Sequence, residues 1–171
     1  FIFTGAGTVT AWTADNPKLI YTLRLDKMQA VVPMKIAYVS SEETNDNEGV
    51  ATHLIDNDPE TYWHTTYGVT VAKYPHWVDF DAGKPCRITG FSYLPRQDSR
   101  NGWIKDYKVQ TSRDGKQGNE PVISGKFENS RKEQRAMLAR TVVARYVRFT
   151  ALSSQDGQDF ATAAEFHVLT E

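Results

Sequence analysis

The residues that could do chemistry crowd into "HLIDNDPETYWHTTYG", His53 to Gly68, where acids, a proline, three threonines, two histidines and three aromatics share sixteen positions. Asp56, Asp58 and Glu60 have the alternate spacing of the calcium loop set between two helices. The match to that loop fails further along, because its sixth position would be Thr61 rather than Gly and its twelfth Tyr67 rather than Glu. Two readings stay open. Hard oxygens at Asp56, Asp58 and Thr61, in a chain bent by Pro59, can surround Ca²⁺ if backbone carbonyls and one distant carboxylate complete the shell. The same spacing also makes an Asx-turn whose acids face water.

Catalysis is not expected from the remaining acids. Glycoside hydrolysis needs two carboxyls about 5 to 9.5 Å apart across a cleft, whereas Asp98, Asp106 and Asp114 stand in turn-like contexts. No Gly-x-Ser-x-Gly elbow, Cys–His arrangement or phosphate-cradling glycine loop opening a helix is present in the sequence.

Those groups must be held by elements, and the composition limits what the elements can be. The chain has 171 residues, 40% apolar and 24% charged, enough for one domain with a real core. A net charge of -1 without a basic block argues against a general nucleic-acid binder, which needs a cluster of Lys and Arg. No apolar run approaches the ~18 residues of a transmembrane helix. The single Cys86 makes no internal disulfide and, following Pro85 at the expected start of a strand, reads as a small buried hydrophobe. A chain opening on Phe1 is expected to be a piece of a larger protein.

Alternation with period two dominates the second half. "HWVDFDAG" sets Trp77, Asp79 and Asp81 against Val78 and Phe80, and "CRITGFSYLPR" breaks phase at Gly90, as at a bulge or a close sheet contact. "DYKVQTSRDG" ends on the turn pair Asp114-Gly115, and "VISGKF", "EQRAMLAR", "VVARYVRFTAL" and "AEFHVLT" continue the series. Val147, Phe149 and Ala151 are expected inward, with Arg145 and Arg148 as solvated charges of the outer face. Trp63, Trp77, Trp103 and Ile104 are expected to pack. "GVATHLID" is one helical turn, with Val50, His53 and Leu54 as its apolar spacing. The fold class is therefore all-β, an antiparallel sandwich. Pro33 closes a first strand-like stretch, and a boundary is placed there: residues 1–33, then residues 34–171.

Over residues 34–171 the ordered motifs "ATHLIDNDPETYWHT", "YLPRQDSRNGWIKDYKVQTSRDG", "ARYVRFTAL" and "AAEFHV" resemble the coagulation factor 5/8 type C, or discoidin-like, domain. "WHT" and "LPRQ" followed by "NG" point to its bacterial branch, carbohydrate-binding module family 32. Asn57 departs from the usual Gly of the signature, and Thr52-His53 from the usual Asn-Ala. The resemblance implies a jelly roll of about eight main strands with a structural Ca²⁺ held by Asp56, Asp58, Thr61 and Glu165. It implies sugar contacts at one rim from His64, Tyr67, Arg96, Asn101 and Phe160, plus an acidic contact within "NDNEG" where Asn47 and Glu48 stay open. These types suit a sugar: Arg and Asn bond vicinal hydroxyls, His donates or accepts, and aromatic rings cover an apolar ring face. The ligand implied is a glycan with terminal galactose or N-acetylgalactosamine.

The other reading of the resemblance, cell-surface adhesion or anionic-lipid binding, asks for protruding apolar loop tips beside Lys and Arg, which the rim stretches are not expected to carry. "FIFTGAGTVTAWTADN" resembles the last strands of the small β module that follows the catalytic domain in chitobiase-type hexosaminidases and some fucosidases. The expected setting is thus a non-catalytic module tethered to a secreted, periplasmic or cell-surface glycoside hydrolase.

Overall fold

The computed structural model describes residues 32–116 and 120–171, with Asp46 as backbone only, and the backbone of residues 2–3, 9–10, 20–21 and 30–31. The chain divides into two units, Phe1–Ala30 and Val31–Glu171. In the first, β1 (Ile2–Phe3), β2 (Val9–Thr10) and β3 (Ile20–Tyr21) pair in that order, antiparallel. The expected likeness of residues 1–33 to a preceding β module falls largely outside the described residues.

The second unit is built on two long strands, β7 (His76–Leu94) and β10 (Gln134–Ala151). The expectation of four shorter strands is corrected here: "HWVDFDAG" and "CRITGFSYLPR" form one strand, as do "EQRAMLAR" and "VVARYVRFTAL". Each pair stays joined because the β7–β10 ladder runs on either side of a corner, where residues 82–85 bulge opposite Arg145. Gly83 sits at that corner with φ +72°, a conformation costly for a side chain. Cys86 therefore lies inside a strand just past the corner, half-buried rather than buried, with its Sγ toward the Ala144 carbonyl.

On one side of the corner β5 (Lys35–Val39), the first half of β7, the second half of β10, β8 (Asp106–Ser112) and β9 (Ile123–Lys126) form a sheet. On the other side β4 (Ala30–Val31), β12 (Glu165–Thr170), the second half of β7 and the first half of β10 form another. The faces meet through aromatics, with Phe166 of one sheet 4.9 Å from Phe80 and 4.7 Å from Phe149 of the other. Burying each such ring is worth roughly 1.5–3 kcal/mol, so this seam supplies much of the drive for closure.

Period-two alternation holds where it was read: Val78, Phe80, Val147, Phe149 and Ala151 are buried. Trp63, Trp103 and Ile104 are buried too, but Trp77 is half-buried on the outer face, where its own alternation with Val78 sends it. Arg145 and Arg148 are not simply solvated. Each makes a two-bond pair across the ladder, with Asp81 and with Asp79. The expected helical turn is a 3-10 segment, Ala51–Ile55, whose buried residues are Ala51 and Leu54, while His53 turns its Nδ1 to the Tyr62 carbonyl.

Gly90 marks a close approach, since a Cβ there would stand 2.5 Å from the Ala136 carbonyl oxygen. Gly90→Ala should destabilise the second unit by about 1–3 kcal/mol, the range of overpacked cores, and lower Tm by several degrees in a thermal melt. An unchanged melt would show that the strands separate there at no cost.

Candidate functional site

At one rim the two-residue strand β6 (Trp63–His64) pairs with β11 (Thr162–Ala163), His64 opposite Thr162. The ladder continues as the Thr65 N–H donates to Ala161 O at 3.1 Å and the Ala161 N–H to Thr65 Oγ1 at 3.1 Å. This pairing carries Phe160 to the His64 ring, 5.3 Å between centroids, while Tyr67 meets the same ring edge-on at 4.6 Å. Tyr67 is 41% exposed and Phe160 half-buried, but His64 is only 2% exposed beneath them. A carbonyl can only accept, so the 2.6 Å contact to Thr65 O puts the proton on His64 Nδ1 and leaves Nε2 the acceptor. Burial, and then the Arg96 charge, hold its pKa below the ordinary imidazole value against the pull of that hydrogen bond.

The Arg96 guanidinium lies 3.6 Å over the Tyr62 ring and forks onto Asp98, Nε to Oδ1 at 2.5 Å and Nη2 to Oδ2 at 2.8 Å. Glu48 accepts from the Tyr62 hydroxyl and, at 3.0 Å, from the Tyr67 hydroxyl. These two bonds hold its carboxyl below the usual range. Between the two acidic-contact candidates, Glu48 therefore reaches the cluster, while Asn47 is exposed in a turn with φ +56°. Asn101 joins through its backbone, whose carbonyl accepts from Thr162 Oγ1 at 2.6 Å, and the residue is exposed. The next residue, Gly102, has φ +69°, a conformation costly for a side chain, and a Cβ there would stand a tight 3.1 Å from Phe160 O.

Three contributors were not read from the sequence. Tyr62 and Asp98 serve Glu48 and Arg96 as above. The third is Glu43, buried, whose carboxylate accepts from the backbone N–H groups of Tyr67, Gly68 and Asn45 and is held below the usual range by them. Tyr62 lies inside the signature stretch, so its position was a signal; nothing local marks Glu43, which acts across 24 positions of chain. The loop that Glu43 secures carries Val69, 88% exposed, and Val71. Exposed apolar residues do therefore stand beside the rim, contrary to expectation, because "GVTVA" leaves the sheet and has nothing to pack on.

The opening acids form the turn that their spacing allows. Asp56 Oδ1 accepts from Asp58 N at 2.9 Å, Asp58 Oδ1 from Glu60 N at 3.0 Å, and Thr61 Oγ1 donates to Asp56 Oδ2 at 2.8 Å. Asn57 has φ +62°, which explains why the usual residue is Gly and why Asn is tolerated. Glu165 is 4% exposed and neither of its carboxylate oxygens is hydrogen-bonded, although Asp56 and the amides of Asn57 and Asp58 are near. Burial, then Asp56, push its pKa up to about 7. His167 Nε2 lies 3.4 Å from Oε2. Among the described residues no three Asp, Glu, His or Cys side chains converge on one point. Beside Glu165 stand the Asp56 carboxylate and the Asn57–Asp58 turn, and a buried carboxylate with no hydrogen bond is a donor that a hard cation takes.

The other acids have partners: Asp98 holds Arg96, Asp106 holds Ser153 and Lys126, and Asp114 closes its turn, each with its pKa lowered.

A family model described as the F5/8 type C domain matches residues 37–166. A sialidase of Micromonospora viridifaciens is 38% identical over 164 residues, 95% of this chain and 25% of the sialidase. A galactose oxidase of Gibberella zeae is 38% identical over 117 residues, 67% of this chain and 17% of the oxidase. The chain thus spans a quarter or less of these curated relatives. Among solved structures, a Clostridium perfringens module, CpGH89CBM32-5, determined with GalNAc-β-1,3-galactose, superposes with a TM-score of 0.73 at 30% identity, over 81% of this chain and 99% of the module. The family 32 module of NanJ from the same organism, determined with galactose, shares the fold at a TM-score of 0.72 and 24% identity, over 83% and 99%. With the signature turn, the sandwich and these matches in agreement, the chain belongs to the F5/8 type C domain family and stands with its family 32 carbohydrate-binding modules.

Proposed function

We propose that this chain is a non-catalytic module that binds the terminal galactose or N-acetylgalactosamine of a glycan and keeps a tethered bacterial glycoside hydrolase, hexosaminidase- or fucosidase-like, at glycan-bearing surfaces outside the cytoplasm. Tethering raises the effective sugar concentration at the enzyme even where one site binds weakly. The observation that carries this reading is the grouping of His64, Tyr67 and Phe160 with the separate charges of Glu48 and Arg96 at one rim. Arg96 gives two of its five N–H groups to Asp98 and keeps the others for vicinal hydroxyls. His64 Nε2, the free acceptor, suits an axial hydroxyl. The rings of Tyr67 or Phe160 cover the apolar ring face opposite it, and Asn101 supplies a donor and an acceptor from the adjoining loop.

We also propose a structural Ca²⁺ at Asp56, Asp58, Thr61 and Glu165, completed by backbone carbonyls. Its contribution would be to join the signature turn to the last strand and to offset the burial of Glu165. Chain freedom would be removed from the unfolded state, with no role in sugar chemistry.

A second reading, an anionic-lipid-binding surface, is favoured by exposed Val69 and Val71 near Lys73. It is weakened because the Lys73 Nζ pairs with Asp159 at 3.2 Å.

Titration should separate these. Galactose and N-acetylgalactosamine should bind with Kd of about 0.1–1 mM and roughly tenfold or more tightly than glucose and N-acetylglucosamine, the cost of an unmatched polar group. Arg96→Ala, Asn101→Ala and His64→Ala should each weaken binding while remaining folded, with a lowered Tm expected for His64→Ala because it empties a buried ring position. Equal binding of galacto and gluco sugars, or binding only to phosphatidylserine vesicles, would overturn the assignment. In melts, Ca²⁺ at about 100 times its Kd should stabilise by roughly 2.7 kcal/mol over EDTA, and superimposable curves would remove the metal.

His64 supplies a pH test. Its folded pKa is depressed by burial, so the stability it contributes is present above the ordinary imidazole pKa and is lost as pH falls through the lower folded value. Galactose affinity should therefore hold through the ordinary imidazole range and fail only below it, in step with the His64 ring signals in NMR. A midpoint at or above the ordinary value would contradict a buried neutral ring.

A further inference from the structure

The rim holds opposite charges that do not meet. Glu48 and Arg96 lie near enough for each to shift the other's pKa, yet among the described residues no ion pair joins them. A carboxylate and a guanidinium free to meet would pair, each then consuming the hydrogen-bonding groups that a sugar needs. Two residues stand in the way. The Tyr62 ring lies under the guanidinium while its hydroxyl donates to Glu48, so one side chain separates the two charges and touches both. Asp98 takes both arms of the Arg96 fork from the other side.

We propose that Tyr62 is a spacer and Asp98 a tether, positioning residues that keep Glu48 and Arg96 as two independent sugar-facing charges and prevent their collapse into an ion pair. This rests on the sugar-site reading above and adds to it residues that need not touch the ligand. The geometry gives each a distinct task. Tyr62 is buried, so its ring position is set by packing and the guanidinium inherits that position. The Arg96 side chain is 13% exposed and that of Asp98 is 53% exposed, so the carboxylate can be altered without opening the core. The groups facing Glu48 are the Tyr62 and Tyr67 hydroxyls, Arg96 and His64. With Tyr67 also donating, both Glu48 oxygens are engaged from the tyrosine side.

The test is a double-mutant cycle read by galactose titration in NMR at saturating Ca²⁺, with wild type, Asp98→Asn, Tyr62→Phe, Glu48→Gln and the two double variants. Tyr62→Phe keeps the ring and removes the hydroxyl, so the fold is retained. Asp98→Asn and Tyr62→Phe should each weaken binding about five- to tenfold in the wild-type background. In the Glu48→Gln background they should cost twofold or less, because no anion remains for Arg96 to fall onto. Equal losses with and without the Glu48 charge would overturn the spacer and tether while leaving the sugar site standing. Wild type that binds none of the sugars would instead remove the site reading, and this inference with it.

Discussion

The structure hangs on the pairing of two long strands through a corner. β7 and β10 stay paired through two bulges, residues 82–85 opposite Arg145 and residues 138–141 opposite Thr89, so the same two strands serve both sheets. That continuity decides the rest. It folds the sheets face to face and brings Phe166 between Phe80, Phe91 and Phe149. It also sends the ends of the ribbon to the loops from which the rim is made. The charged ladder of Asp79–Arg148 and Asp81–Arg145 runs along its outer face. Such partly exposed pairs contribute little stability, but opposite charges directly across a ladder, as Asp79 and Arg148 are, favour this register over others.

The rim inherits its order from backbone bonds rather than from regular structure. β6 and β11 contribute two residues each, too few to stand alone, and are extended by Thr65 and Ala161. Glu43 then acts as a buried acceptor for the amides of the following loop, satisfying donors that no strand partner reaches. Loops held this way lose little further freedom when a ligand arrives, which matters for a shallow site with few contacts.

Electrostatically the molecule keeps its charges in defined company. Arg96 stays paired with Asp98, Glu48 with two tyrosine hydroxyls, and His64 stays neutral beneath Tyr67 and Phe160. Glu165 is the exception, buried with no hydrogen-bond partner. An uncompensated carboxylate of that kind stays protonated or finds a cation. The turn of Asp56, Asp58 and Thr61 closes on itself beside it, Thr61 Oγ1 donating to Asp56 Oδ2.

Much of this was legible without coordinates. Side-chain alternation in "HWVDFDAG" and "ARYVRFTAL" belongs to the pleat itself, so the inward residues and the all-β class follow from local pattern. His64 and Tyr67, whose rings meet at the rim, lie in the signature stretch, while Arg96 and Phe160 came from the later motifs through the family resemblance. Local pattern could not tell that four strand-like runs form two strands, because a ladder continues or stops according to its partner rather than its own sequence. It could not find Glu43, or assign Tyr62 and Asp98 to Glu48 and Arg96, because the bonds that define those roles form between side chains that only the folded loops bring together. Nor could it foresee that His64 would be roofed or Val69 left bare, since burial belongs to the surroundings and not to the residue. The sequence by itself determined the residue types, the pleat and the turns. Tertiary structure alone decided which charges pair, which stay apart and which ring is covered, because those depend on distances set by the closing of the two sheets.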